Sequence, residues 1–276
     1  MILHGIVDWD DAYANGVNIA GGDAWPNAWV EPARQFRERL AADGRAQTGL
    51  SYGDGAKHRF DLFLPKDEAK GVVVFVHGGY WMKFDQSFWS HLANGPVEHG
   101  FAVAMPTYTL CPDIRIAGIV AEIGKAIVAI GERFQGPMLL TGHSAGGHLA
   151  ARMICADSPL PDPLRKRIRH VVSISGLHDL RPLMNTAMNA TLGIDEAEAV
   201  AQSPALLRPM DNARLTCWAG AAERSEFIRQ NALLANVWAG LSAQTCTVEE
   251  PDRHHFNIVD GLADPDHPLL RTLLFS

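Results

Sequence analysis

The sequence predicts an α/β fold with a mostly parallel central sheet, an antiparallel amino-terminal hairpin and helices on both faces of the sheet. From residue 71 onward, short β-branched runs alternate with helical stretches, which is the pattern of βαβ units. The run 72–76 is apolar throughout, as expected for a strand that is covered on both faces. Before it, two extended runs flank the sequence GDG at 53–55, which is typical of a hairpin turn.

The individual elements follow from the same periodicities. A helix is expected over 32–42, because Phe36 and Leu40 are spaced four apart among charged residues. The hairpin strands are expected at 48–52 and 58–64, and Pro65 ends the second strand. Further strands are predicted at 72–76, 101–105, 138–141, 170–174, 215–219 and 245–248, and further helices at 86–98, 114–134, 145–155, 226–241 and 268–274.

The chain of 276 residues is expected to form a single domain over 1–276, since it can bury one sizeable core. Residues 1–46 are predicted to be a segment that caps this domain. Residues 177–212 contain three prolines that interrupt helical pieces. We expect this stretch to be an excursion over the carboxyl edge of the sheet, where it could serve as a lid.

The composition excludes several classes of protein. Hydrophobic residues make up 47% and charged residues 20% of the chain, which is typical of a folded globular protein. The net charge of −7 disfavours binding to nucleic acid or to an anionic membrane. The longest apolar run is far shorter than the roughly 20 residues that cross a bilayer. Aspartates near the amino terminus, MILHGIVDWDD, do not fit a secretory signal, so we expect a cytoplasmic protein.

The pentapeptide GHSAG at 142–146 matches G-x-S-x-G, the turn that raises a serine hydroxyl above a parallel sheet. A predicted strand leads into it and a predicted helix leads out. The two glycines allow strand and helix to approach closely in so sharp a turn. We therefore expect Ser144 to be a nucleophile, which needs a base, an orienting carboxylate and donors to an oxyanion.

The sequence HGGYW at 77–81 follows the strand 72–76, where such a fold has its oxyanion loop. The backbone N–H groups of Gly78 and Gly79, with that of Ala145, are the expected oxyanion donors. A plain β-turn is the alternative at this position.

Aromatic residues cluster directly after this loop and could line a substrate pocket. We predict that Tyr80 and Trp81 contact the substrate, together with His143 beside the nucleophile. Packing against the following helix is the open alternative, because Phe84 and Phe88 have helical spacing.

The acid is expected after the strand 215–219, in the chain order Ser, acid, His. Glu223 stands in that loop and is favoured. Glu226 and Asp179 are rivals, although Glu226 also suits the first turn of the next helix, where a carboxylate interacts well with the helix dipole.

The base is expected after the last strand, where His254 and His255 are adjacent. Neighbouring residues in a loop point in different directions, so only one of them can easily face the nucleophile. His255, which precedes the apolar Phe256, is favoured over His254.

These motifs resemble an α/β-hydrolase group that includes kynurenine formamidase (arylformamidase) and related carboxylesterases. The resemblance rests on HGGYW at 77–81, GHSAG at 142–146, GAAERSEFIRQ at 220–230 and the final His255-Phe256, and extends from about residue 52 to the carboxyl terminus. It implies the α/β-hydrolase fold, a triad of Ser144, His255 and Glu223, and hydrolysis of aryl formamides or carboxylic esters. Many formamidases have an Asp where this chain has Glu223.

The expected chemistry forms an acyl-enzyme that water releases, so no cofactor and no metal are required. Although the chain has 12 histidines, it lacks the H-E-x-x-H pattern of zinc hydrolases. The expected partner is a small-molecule ester or amide, and the oligomeric state is open, a homodimer included. Two other functions stay open: a short-chain carboxylesterase or thioesterase without formamidase activity, and a non-catalytic binding protein on a hydrolase scaffold.

Overall fold

The computed structural model describes residues 5–276, so the first four residues of the amino-terminal sequence discussed above lie outside the described part. Its centre is an eight-stranded sheet in the order β1-β2-β4-β3-β5-β6-β7-β8. The strands are β1 (Ala46–Ser51), β2 (Arg59–Phe63), β3 (Val72–Val76), β4 (Ala102–Pro106), β5 (Met138–His143), β6 (Ile168–Ile174), β7 (Arg214–Gly220) and β8 (Gln244–Glu250). The pairs β1–β2 and β2–β4 are antiparallel, and all other neighbours are parallel.

The predicted hairpin and the parallel sheet are thus confirmed. The α-helices are α1 (Trp9–Tyr13), α2 (Asn15–Asn18), α3 (Trp25–Ala42), α4 (Asn94–Glu98), α5 (Ile116–Arg133), α6 (Ala145–Arg152), α7 (Asp162–Arg165), α8 (Asn189–Leu192), α9 (Glu196–Gln202), α10 (Ser225–Ala239) and α11 (Pro268–Phe275). Short 3₁₀ helices are Gly22–Ala24, Gln86–Ala93, Arg181–Asn185, Pro204–Leu206 and Ile258–Leu262.

Two elements differ from the prediction. Helix α3 begins at Trp25, not at residue 32. Pro26 stands in its first turn, and Pro32 lies inside the helix. A proline is well suited to the first helical turn, so either proline could have begun the helix. The helix predicted at 86–98 is instead a 3₁₀ helix followed by the short α4, in which Pro96 has no N–H to contribute.

The central strands are covered on both faces, as the apolar run 72–76 predicts. Val72, Val74 and Val76 belong to one hydrophobic cluster, which includes residues of α5 and α10. Val73 and Phe75 belong to the other cluster, which includes residues of α3 and α11. Successive side chains of a strand point to opposite faces, so both layers of helices bury apolar surface against the same strand.

The stretch 177–212 contains α8, α9 and two of the 3₁₀ helices. Leu180, Leu183 and Leu192 are buried in the hydrophobic core, whereas Met188 lines the cavity over Ser144 that is described below. These leucines anchor the stretch in the core, and its action as a lid stays a prediction.

The close approach of β3, β5 and α6 makes a testable prediction. A Cβ on Gly146 would lie 1.9 Å from the carbonyl oxygen of Val76, and a backbone atom cannot rotate away as a side chain can. We expect Gly146→Ala to lower the free energy of unfolding by about 3 kcal/mol or more, measured by urea denaturation.

Gly240→Ala is the matched control. At this position the nearest atom to an added Cβ is the carbonyl oxygen of Val237, at 3.5 Å, which is an ordinary contact. We expect a change within about 1 kcal/mol. Equal losses in the two variants would contradict a special constraint at Gly146.

Candidate active site

Ser144 occupies the sharp turn between β5 and α6. Its backbone has φ 56° and ψ −119°, a strained conformation for a residue with a Cβ. The amide of Ser144 donates to the carbonyl of Ile174 at 2.8 Å, which fixes the turn to the neighbouring strand β6. Gly142 and Gly146 touch across the turn, since a Cβ on Gly142 would lie 2.2 Å from the Gly146 oxygen. The serine is therefore held rigidly at the carboxyl end of the sheet.

The loop after β3 lies against this turn. A Cβ on Gly78 would come within 2.7 Å of the His143 carbonyl oxygen and 3.2 Å of Ser144 Cβ, so glycine is required for the approach. Gly79 has φ 108°, and Tyr80 and Trp81 also have positive φ, at 52° and 57°. A run of such residues is costly and persists only where the surroundings enforce it.

His77 braces the start of this loop. Its ring is stacked on Tyr108, with centroids 4.3 Å apart, and on Trp89 at 5.7 Å. Its Nδ1–H donates to the Gly78 carbonyl at 2.8 Å. Complete burial lowers the pKa of His77 to about 4, so the ring stays neutral at physiological pH.

The structure pairs Glu223 with His255. The Nδ1–H of His255 donates to Glu223 Oε2 at 2.6 Å, and both side chains are almost completely buried. The other carboxylate oxygen, Oε1, accepts from the hydroxyl of Ser175 at 2.5 Å and from the amide of Gly220 at 2.8 Å. With Nδ1 bound to the carboxylate, the remaining ring nitrogen Nε2 is the one available as a base.

The rival residues have other partners. Glu226 accepts from the Tyr13 hydroxyl and forms an ion pair with Arg229, and Asp179 forms an ion pair with Arg181. His254 lies with its ring edge-on to Trp25, at a centroid distance of 5.2 Å. None of these three is in hydrogen-bond contact with His255 within the described residues 5–276.

His143 supports the loop that carries His255. Its ring nitrogen Nε2 is 2.8 Å from the backbone carbonyl of His255, and because a carbonyl only accepts, the proton of His143 lies on Nε2. Burial, and to a lesser degree the proximity of His255, hold the pKa of His143 well below its ordinary value. His143 is therefore a neutral donor that joins the nucleophile turn to the His255 loop.

The segment 225–230 connects several parts of the site. The Phe227 ring packs on the His255 imidazole with centroids 4.4 Å apart. Gln230 Oε1 accepts from the amides of His178 and Asp179, both at 2.8 Å. Glu226 Oε1 accepts from the Tyr13 hydroxyl at 2.6 Å, which ties the amino-terminal segment to α10.

A cavity of about 440 Å³ opens over Ser144. Ser144, His143, His255, Gly79 and Tyr80 all line it, so the structure brings these predicted site residues to one space. Gly78 contacts the nucleophile turn, as described above, and Ala145 follows Ser144 as the first residue of α6.

The structure does not bring Trp81 to this cavity. Its side chain is fully buried in the core, with the ring edge-on to His148 at a centroid distance of 5.2 Å. The apolar walls include Trp89 and Phe84, from the aromatic cluster that follows the loop.

The amino-terminal segment also forms a large part of the cavity wall. Tyr13, Asn15, Val17 and Trp29 line the cavity. The hydroxyl of Tyr80 donates to the Tyr13 carbonyl at 2.5 Å and lies 3.3 Å from the side-chain nitrogen of Asn15. These contacts hold the amino-terminal segment against the loop that follows β3.

In the part of the chain that the structure describes, no hydrogen bond joins the Ser144 hydroxyl to His255, although both line the cavity. Such a bond is often long in a substrate-free serine hydrolase and tightens when substrate binds. A rotation about the single side-chain torsion of Ser144 moves its hydroxyl without disturbing the backbone.

Two kinds of feature are absent from residues 5–276. They contain no group of three or more His, Cys, Asp or Glu side chains arranged to hold a metal ion. Nor does any described helix have both the length and the apolar character that a membrane span requires.

Sequence reasoning missed Ser175 and Tyr13. Ser175 follows β6 with φ 50°, and a lone serine after a strand carries no recognisable signal. Tyr13 contacts Glu226 across 213 residues of sequence, which no local pattern reveals. A positive-φ residue at the end of a strand next to the nucleophile strand is visible only in three dimensions.

Comparisons with known proteins agree with this geometry. A family model described as BD-FAE matches residues 60–209. Kynurenine formamidase from Salmo salar is 28% identical over 84% of this chain and 83% of its own length.

Solved structures extend the agreement. A candidate thioesterase from Silicibacter sp. superposes with a TM-score of 0.92 at 46% identity, covering 96% of this chain and 98% of the other. Esterase B from Lactobacillus rhamnosis superposes with a TM-score of 0.65 at 19% identity, covering 91% and 95%, which shows a shared fold. The predicted α/β-hydrolase fold is confirmed.

The buried histidines around the nucleophile predict how stability depends on pH. Burial lowers the pKa of His148 and of His178 to about 3 and that of His77 to about 4, from an ordinary value of 6.5. Below about pH 6.5 the unfolded chain binds protons at these residues that the folded chain does not. The free energy of unfolding should therefore decrease as pH falls from 6.5 toward 4.

His148→Gln tests this dependence. An amide side chain can still donate to the Gln202 carbonyl, which His148 Nε2 contacts at 2.7 Å, but it does not titrate. Between pH 6 and 4.5, we expect the variant to lose up to about 1.4 kcal/mol less per pH unit than the wild type, by urea denaturation. Identical slopes would contradict the assignment of His148 as a buried neutral residue.

Proposed function

The chain belongs to the BD-FAE family and is a hydrolytic enzyme, and from this premise we propose that it is a serine hydrolase with a triad of Ser144, His255 and Glu223. The observation that carries this proposal is the 2.6 Å hydrogen bond between Glu223 and the Nδ1 of His255, whose ring lines the cavity over Ser144. The bond orients the imidazole and stabilises its charged form.

The reaction then follows the acyl-enzyme course. His255 accepts the Ser144 proton as the hydroxyl oxygen attacks the carbonyl carbon of the substrate. The N–H groups of Gly78, Gly79 and Ala145 stabilise the oxyanion, and each well-placed donor contributes about 3 kcal/mol to the transition state. His255 protonates the leaving group, then activates the water that releases the acid.

We propose aryl formamides and carboxylic esters as the substrates. The relatives named kynurenine formamidase align along most of the chain, which supports the formamide. The aromatic cavity wall formed by Trp29, Phe84 and Trp89 suits an aryl leaving group. The cytoplasmic location and the lack of affinity for nucleic acid stay predictions, and the oligomeric state stays open.

Thioester hydrolysis is the second candidate. It is favoured by the 46% identity to the structure described as a candidate thioesterase. The same triad would act on a thioester, because only the leaving group changes.

The test has two parts: it asks whether Ser144 is the nucleophile, and it compares the rates at which different substrates are hydrolysed. We expect a fluorophosphonate to label Ser144, as mapped by mass spectrometry, and Ser144→Ala to lower kcat at least 10³-fold, by the order of magnitude known for triad serines. Hydrolysis rates are compared for four substrates: N-formylkynurenine, p-nitrophenyl acetate, p-nitrophenyl butyrate and an acetyl thioester. A butyrate rate far above the formamide rate would reject the formamidase, and activity that persists in Ser144→Ala would reject the triad.

Lys83 makes a further prediction about the substrate. Lys83 and Asp23 line the cavity, and neither forms an ion pair with another described residue. The amino-acid group of N-formylkynurenine has a carboxylate and an ammonium that these charges would attract. We expect Lys83→Met to raise the KM for N-formylkynurenine several-fold and to leave that for p-nitrophenyl acetate within twofold; equal changes would contradict charge recognition.

A further inference from the structure

Ser175 lies at the end of β6, directly behind the acid of the proposed triad. Its side chain is fully buried, and its hydroxyl donates to Glu223 Oε1 at 2.5 Å. Its amide donates to the Trp218 carbonyl at 2.7 Å, which fixes the residue to strand β7. Ser175 also has φ 50°, a conformation that costs energy in a residue with a Cβ.

The Glu223 carboxylate is held both by its own turn and by Ser175. The Glu223 side chain folds back over its own turn, because its Oε1 accepts from the Gly220 amide and the Glu223 amide donates to the Gly220 carbonyl. A glutamate has one more rotatable bond than an aspartate and therefore needs more contacts to hold its carboxylate in one orientation. The Ser175 hydroxyl and the Gly220 amide together supply them at Oε1, which leaves Oε2 for His255.

We propose that Ser175 is a positioning residue that holds the Glu223 carboxylate in line with His255, and that it makes a glutamate workable as the acid in this chain. The inference rests on the proposed triad. Ser175 does not touch the reacting atoms, and it acts through Glu223.

A matched pair of serines provides the first test. Ser173 lies two residues earlier, on β6, and is equally buried. Its hydroxyl is 3.3 Å from His178 Nε2 and does not contact the His255–Glu223 dyad. We expect Ser175→Ala to lower kcat about tenfold with KM within twofold, and Ser173→Ala to leave kcat within twofold. Equal losses in both variants, or no loss in Ser175→Ala, would overturn the proposal.

The second test asks whether the effect of Ser175 passes through Glu223. An aspartate at 223 is one methylene shorter, so we expect its carboxylate not to reach both Ser175 and His255 from the same turn. In a double-mutant cycle, Ser175→Ala should therefore cost about tenfold in the wild-type background and less than twofold in the Glu223→Asp background. The same cost in both backgrounds would overturn the coupling.

A third measurement needs no substrate. The proton on His255 Nδ1, bound to Glu223, should give a low-field NMR resonance in the wild type. We expect this resonance to weaken or vanish in Ser175→Ala and to persist in Ser173→Ala; its persistence in Ser175→Ala would overturn the proposal. If Ser144 is not labelled by a fluorophosphonate while the resonance behaves as expected, the proposed function fails, whereas the support that Ser175 gives to the His255–Glu223 hydrogen bond stands.

Discussion

The buried carboxylate of Glu223 imposes the main constraint on this site. A carboxylate removed from water is costly unless its oxygens are hydrogen-bonded. Here three donors, from His255, Ser175 and Gly220, surround it. Because these donors come from a loop and from the ends of two strands, the carboxylate ties together three parts of the chain that are distant in sequence. The orientation of the imidazole follows from this arrangement.

Further contacts around the dyad fix the position of the His255 imidazole. His143 holds the backbone of the His255 loop, and Phe227 packs on the imidazole, so the ring is fixed from two further sides. Glu226, one residue before Phe227, binds Tyr13 and thereby connects helix α10 to the cavity wall. The amino-terminal segment and the residues of the proposed triad are therefore parts of one network, and a change in α10 would reach both.

Much of this could be predicted from the sequence, for physical reasons that differ between residues. Ser144 stands in a turn whose two glycines lie four residues apart in the chain, so a local motif finds it, although Gly146 is also required by the close approach of Val76. Glu223 and His255 follow predicted strands, so chain order reduced the candidates to a few residues, and the structure places these two in hydrogen-bond contact. The Trp81 contact was predicted from a run of aromatics, but a run does not reveal which ring enters the core.

Contacts between distant residues could not be predicted in this way. The Ser175–Glu223 and Tyr13–Glu226 hydrogen bonds join residues 48 and 213 positions apart, and neither serine nor tyrosine carries a local mark of its partner. Helix α3 shows the same limit at short range, because two prolines offered equally good starts and tertiary packing of Trp29 against Trp89 favours the earlier one.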